Sequence, residues 1–170
     1  MFRYSAMAVM AGASLVLAAC GQAGGDAGTG QAPAAKPAAK SPEPTDVERQ
    51  ARLAALPAPY NTGDLENGRR QFGLCRSCHT IAEGAPNLTG PNLYGVFGRK
   101  AGGLEGYNYS EALKTADFVW DAEHLDAWLD NPRTYLPGTK MTFAGLHDAQ
   151  KRVDLIAYLK VESGYEPPAS

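Results

Sequence analysis

Cys75-Arg76-Ser77-Cys78-His79 is the stretch whose reading decides the fold. Two thiols three positions apart fall on one face of a helical turn, so both can add to the two vinyl groups of a porphyrin, and the imidazole that follows then lies beneath the iron. C-x-x-C-H is the arrangement through which a c-type haem is attached covalently, and that chemistry dictates the spacing. Two rival readings share the C-x-x-C pair. A zinc site needs a second pair of ligands at short spacing, but the remaining Cys is Cys20 and the remaining His are His124 and His147, far apart in the chain. A thioredoxin-like site needs a βαβ setting, and no run of alternating or β-branched residues surrounds Cys75.

The whole chain has 170 residues, enough for one ordinary domain. Its first sixty hold a targeting segment and an Ala/Gly/Pro-rich stretch, which leaves roughly 105 residues to build a core. A bulky buried cofactor would supply much of the apolar interior of so small a domain. The three Cys allow no disulfide framework once Cys75 and Cys78 are bonded to haem. The formal net charge of −2 excludes a nucleic-acid binder and gives little long-range attraction toward acidic surfaces. There is also no catalytic constellation: no Ser-His-Asp order, no paired carboxylates in a cleft pattern and no Gly-rich phosphate loop.

Arg3 followed by the small, apolar run Ala6 to Ala19 has the form of a secretory signal peptide. The run is fourteen residues, short of the roughly seventeen to twenty-five that cross a hydrocarbon core. Its end, Leu17-Ala18-Ala19-Cys20, resembles the lipobox of bacterial lipoproteins, in which cleavage before the Cys is followed by its lipidation. A plain signal peptide with an incidental Cys is the alternative. Residues 20–60, rich in Gly, Ala and Pro, cannot bury enough apolar surface to offset their ordering entropy and are expected to form a lipid-anchored tether. At its forty residues from Gly21 to Tyr60, such a tether spans on the order of 35 Å on average. Thr45 to Leu56 carries a capping box, Thr45 with Glu48, yet on so short a segment the expectation is a transient helix within the linker. The sequence thus divides into a signal (1–19), a tether (20–60) and a domain (61–170).

Within the domain, four helical stretches are expected. Asp64 to Cys75 turns Leu65 and Phe72 inward and delivers the first haem Cys at its end. A short helix starts near Ser110 and covers Glu111 to Leu113. A third is capped by Asp121, carries the apolar stripe Leu125, Trp128 and Leu129, and stops at Pro132. The fourth runs from the cap Asp148 to Val161, with Val153, Ile156, Ala157 and Leu159 or Leu155 as its packed face and Gly164 as terminator. Gly- and Pro-rich connections separate them and no strand pattern competes, so the class is all-α with long ordered loops that need something to wrap.

From Gly63 to Lys160 the chain closely resembles class I cytochrome c, the soluble electron-carrier family that includes the mitochondrial protein. The resemblance is carried, in order, by Gly90 to Lys100 (GPNLYGVFGRK), Tyr109 to Ala112 (YSEA), Asn131-Pro132, Pro137 to Met141 (PGTKM), Phe143 to Gly145 (FAG) and Leu155 to Leu159 (LIAYL). It implies about four helices and long loops around one haem c, covalently held through Cys75 and Cys78. It also implies His79 and Met141 as the two axial ligands. Met141 stands where the family places its thioether, and Met1, Met7 and Met10 would leave with the signal. By the same resemblance Pro91 offers its carbonyl to the ring of His79. Arg99, Tyr109, Trp120 and Thr139 match positions that bind or neutralise the haem propionates, and Trp128 matches an aromatic against the haem near the Met. Asn131, Gly98, Phe72 and Tyr158 read as structural.

Departures from the family pattern are visible too. Leu113 falls where relatives often carry a polar Asn. Leu88, Thr134 and Asp148 occupy places that are often basic, so the cationic ring at the haem edge is reduced to Arg133 and Lys140. The edge itself would be framed by Arg76, Phe143 and Lys140. The implied role is single-electron transfer by a monomeric, lipid-anchored cytochrome on the periplasmic side of a bacterial membrane, between a cytochrome bc-type complex and a terminal oxidase. Two other readings stay open: a haem enzyme, peroxidase-like or nitrite-handling, whose Met leaves the iron, and an electron-donor module dedicated to one larger complex.

Overall fold

The computed structural model of the chain describes residues 43–164. The expected signal peptide, Cys20 and the first part of the expected tether lie outside the described residues. Six helices follow one another among the described residues: α1 Asp46–Ala54, α2 Leu65–Phe72, α3 Glu111–Thr115, α4 Ala122–Asp130, α5 Pro132–Tyr135 and α6 Ala149–Glu162, with a 3-10 turn at Tyr60–Thr62 before α2. Among the described residues the only extended pairing is an isolated antiparallel bridge between Lys100 and Val119. The fold is all-α.

The helix starts follow from their capping side chains. Asp64 accepts from the amides of Glu66 and Asn67, Ser110 from Leu113, Asp121 from His124 and Asp148 from Lys151. Each satisfies an amide that has no partner inside its helix, worth about 1 kcal/mol at such a position. Helix α2 is shorter than the expected stretch to Cys75. It ends at Phe72, and the chain continues in tight turns, with Cys75 N donating to Phe72 O at 2.9 Å. Pro132 does more than stop a helix. Its fixed φ suits the first helical position, and with Asn131 accepting from Thr134 N it opens α5 as it ends α4.

The scaffold is the crossing of α2 over α6, the most extensive helix pairing among the described residues. Gly68 makes it possible, because a Cβ there would run into the carbonyl of Asp154 and the Cβ of Tyr158. Asp154 is itself 2% exposed. Its carboxylate accepts from Asp64 N (2.9 Å), Asn67 Nδ2 (2.6 Å) and Gln150 Nε2 (2.9 Å), which compensates the cost of burying it. Phe72 stacks obliquely on Tyr158 with ring centroids 5.6 Å apart.

Two expectations are corrected here. The segment from Thr45 to Leu56 is not a transient helix in a linker: α1 has its full capping box and packs on α6. Arg49 Nε lies 3.1 Å from Glu162, Arg52 Nη1 donates to Val161 O at 2.8 Å, and Leu56 and Tyr60 are buried in the core. Tertiary contacts supply what the short helix lacks on its own, and the packed unit therefore begins upstream of 61. The same packing alters α6. Expected to bury one face, it buries nearly every residue from Val153 to Val161, since α1, α2, α4 and the 3-10 turn all lie against it.

Candidate functional site

Cys75, Cys78 and His79 lie on consecutive turns just after α2, where Cys78 N and His79 N both donate to Cys75 O at 3.0 and 2.9 Å. Burial pushes the Cys75 thiol up to about 11, with Cys78 adding to the shift. A thiol so held is protonated at neutral pH, unlike the low-pKa thiolate of a redox-active C-x-x-C pair. No three His, Cys, Asp or Glu side chains among the described residues converge as a metal site.

His79 is seated from two directions. Its Nδ1 is 2.8 Å from Pro91 O. A carbonyl can only accept, so Nδ1 carries the proton and Nε2 keeps its lone pair for a metal. Gly90 lies against the ring so closely that a Cβ there would overlap it. Burial lowers the imidazole's pKa, against a smaller opposing effect of the Pro91 bond, which favours the neutral form that ligates.

The stretch that presents Pro91 is itself tied down. Gly90 N donates to Cys78 O (2.8 Å) and Leu93 N to Thr80 O (2.8 Å). The buried Asn92 amide donates to Thr80 Oγ1 (2.6 Å) and Ala82 O (2.9 Å), and its oxygen accepts from Tyr94 N. Arg99 reaches back to the carbonyls of Asn92 and Tyr94 at 3.1 and 3.2 Å. Burial lowers its pKa from the usual arginine range, with Tyr109 acting the other way.

These residues open onto a cavity of about 660 Å³. Its walls hold all ten of the described residues that sequence reasoning selected: Cys75, Cys78, His79, Pro91, Arg99, Tyr109, Trp120, Trp128, Thr139 and Met141. Val96, Leu113, Leu125 and Leu159 add apolar surface. Trp120 and Trp128 meet edge to face at 5.4 Å, which fixes both rings as one wall. Thr139 Oγ1 accepts from Met141 N at 3.2 Å. A cavity of this size lined by indoles and aliphatic chains, with two thiols, an imidazole and a thioether at its surface, fits a haem. Leu113 is buried in the wall, so an apolar side chain fills the place noted as departing from the family.

Sequence reasoning passed over Tyr107 and Asn92. Tyr107 lines the cavity, donates to Thr89 O at 2.5 Å and meets Tyr109 edge to face at 4.7 Å. Its spacing of two from Tyr109 was the available signal. Asn92 sits inside the quoted GPNLYG stretch, but its part in bracing Pro91 depends on Thr80 and Ala82, ten or more residues away. Lys140, expected at the haem edge, directs its ammonium to the carbonyls of Asn108 and Tyr109 at 3.3 and 3.2 Å.

An all-α fold wrapped on a C-x-x-C-H cavity defines a c-type haem protein. A family model described as cytochrome c matches residues 65–161, and the chain belongs to that family. The cytochrome c of Kluyveromyces lactis is 42% identical over 105 residues, covering 61% of this chain and 96% of its own. Cytochrome c2 of Blastochloris viridis is 45% identical over 108 residues, covering 64% and 85% respectively. The solved structure of cytochrome cH from Methylobacterium extorquens aligns with a TM-score of 0.54 at 45% identity, over 58% of this chain and 98% of that one. The protein is an electron carrier that binds haem c covalently through Cys75 and Cys78. Residues 46–64, including α1, lie upstream of the family match.

Proposed function

We propose that this cytochrome is tethered to the periplasmic face of a bacterial membrane and passes single electrons along a respiratory chain, from a cytochrome bc-type complex to a terminal oxidase. The observation that carries the electron-transfer reading is one cavity presenting His79, with its Nδ1 proton committed to Pro91, together with Met141. In this reading His79 and Met141 would hold the haem iron, and Met141 is the only thioether from residue 20 onward. Bound haem supplies a one-electron iron couple, and an imidazole and thioether pair raises its reduction potential relative to harder ligand sets. The chain's own residues do the rest. Pro91 orients the imidazole, as carbonyls behind ligating histidines do. Arg99, Tyr109, Trp120 and Thr139 line the cavity and would partner the propionates, which could not be buried ionised without such groups. Trp128 packs the wall beside Trp120.

The membrane part of the proposal rests on Cys20 as lipid attachment site and on the Ala/Gly/Pro-rich stretch after it as tether. No helix among the described residues is long and apolar enough to cross a membrane. Tethering would offset the thin cationic ring at the haem edge, because confinement with a partner on one surface gives an effective concentration that reaches millimolar.

A spectrum and redox titration of the purified mature protein test the electron-transfer reading: a stable sulfur-to-ferric-iron band at neutral pH is expected, and rapid binding of cyanide or peroxide would favour an enzyme instead. Fractionation of cells expressing Cys20→Ser tests the anchor. Release of the cytochrome from membranes is expected, and unchanged membrane retention with unchanged electron delivery counts against it. Isolation in fixed ratio with an oxidase would replace the shuttle by a dedicated donor module.

A further inference from the structure

Met141 lies in the connection from Leu136 to Asp148 between α5 and α6, and five residues beyond it the chain is fixed to the body of the protein at Leu146. Leu146 N donates to Leu129 O of α4 at 2.8 Å, and the Leu146 side chain is buried. Leu146 O accepts from Arg152 Nη1 at 2.9 Å. The same Nη1 is 2.9 Å from Asp130 Oδ1. The other edge of the guanidinium grips Asp126, with Nε at 2.9 Å from Oδ1 and Nη2 at 3.4 Å from Oδ2. The Arg152 side chain is 11% exposed, so the guanidinium is shielded, while its partners Asp126 and Asp130 keep 28% and 47% of their side chains in water.

One guanidinium thus joins the first turns of α6 to α4 and to the Met141 connection. An ammonium could not reproduce this, since it lacks the planar fork that serves two carboxylates and a carbonyl at once. Asp126 and Asp130 lie on the same helix as Leu125 and Trp128, which wall the cavity, so the connection is pinned to the element that shapes its seat.

We propose that Arg152 is a positioning residue for the haem site: by holding Leu146 against α4 it sets how rarely Met141 leaves its seat. This rests on the reading of Met141 as second axial ligand. The physical basis is a local opening equilibrium of the 141–146 stretch, whose open form is disfavoured by the bonds lost on opening. An external ligand that binds only the open form has an apparent affinity reduced by the fraction open. Loosening the pin raises that fraction and the apparent affinity together.

The test is a spectroscopic titration of the holoprotein with imidazole, alongside amide hydrogen exchange, for wild type, Arg152→Leu, Arg152→Lys and Asp126→Asn. Arg152→Leu is expected to tighten imidazole binding by about tenfold or more, with faster exchange at Leu146 and unchanged protection between Cys78 and Leu93. Arg152→Lys should show a smaller change in the same direction, and it serves as the deciding variant if Arg152→Leu yields no holoprotein. Asp126→Asn keeps the bond from Arg152 to Leu146 O and should lower the melting temperature while leaving imidazole affinity near wild type. Equal losses of melting temperature in the Arg152 and Asp126 variants with unchanged imidazole affinity would overturn the proposal and leave Arg152 a brace for α4 and α6. Met141→Ala separates the two readings. If its spectrum and imidazole affinity match wild type, the ligand assignment has failed; if they differ while the Arg152 variants do not, only the role of Arg152 has failed.

Discussion

The two sides of the haem cavity are held by different means. Between Cys78 and Arg99 the chain is bonded mostly to itself: Gly90 to Cys78, Leu93 to Thr80, Asn92 to Thr80 and Ala82, Arg99 to Asn92 and Tyr94. Around Met141 the anchoring bonds run outward, from Lys140 to Asn108 and Tyr109, from Leu146 to Leu129, and from Arg152 to Leu146. Short closed loops cost little entropy to form and persist as a local unit. A connection fixed by remote partners opens whenever those partners let go. On the proposal made for Arg152, the histidine side would be the more persistent wall and the methionine side the one that yields first.

Four substitutions break or sharpen this contrast. His79→Ala removes the more persistent side and should abolish normal holoprotein, seen as near-complete loss of haem per polypeptide after purification. Met141→Ala should leave holoprotein that still forms but has a potential lower by on the order of 100 mV and no sulfur-to-iron band, read by redox titration and absorption. Comparable holoprotein yields for these two variants would erase the distinction. Gly90→Ala attacks the histidine side without removing a ligand. Its Cβ would press on the imidazole, so unfolding should become easier by roughly 1–3 kcal/mol in denaturant titration. Thr139→Val removes the acceptor of the Met141 amide and should cost about 1 kcal/mol, appearing as faster exchange near Met141 and none near His79.

Much of the fold is legible because its signals are local. The caps Asp64, Ser110, Asp121 and Asp148 each accept from the amides two or three residues on, and a short side chain followed by an apolar period is enough to mark them. The cavity wall is legible for another reason. C-x-x-C-H encodes its chemistry in five adjacent residues, and the resemblance brings Met141 and the aromatic positions with it. What escapes the sequence depends on distant partners. Thr45–Leu56 shows its capping box, yet nothing near it announces that Glu162 and the Val161 carbonyl will complete the packing. Asp154 is one of several charged residues of α6 in the sequence, and only the folded chain shows it buried and satisfied by Asp64 and Asn67. Arg152 reads as a surface charge, because its three partners lie on α4 and at the end of the methionine connection. Pro132 shows the limit of a one-directional rule, since one residue both ends α4 and begins α5.

The clamp of α1 on the last turn of α6 also sets how mechanical load would enter this molecule. A pull applied upstream of Thr45 would meet the Arg49–Glu162 and Arg52–Val161 contacts first, and these lead into α6. Were the proposed tether drawn taut, the load would enter at the last turn of α6 rather than at Leu65 or the turn bearing Cys75, on the helix whose Leu159 lines the cavity.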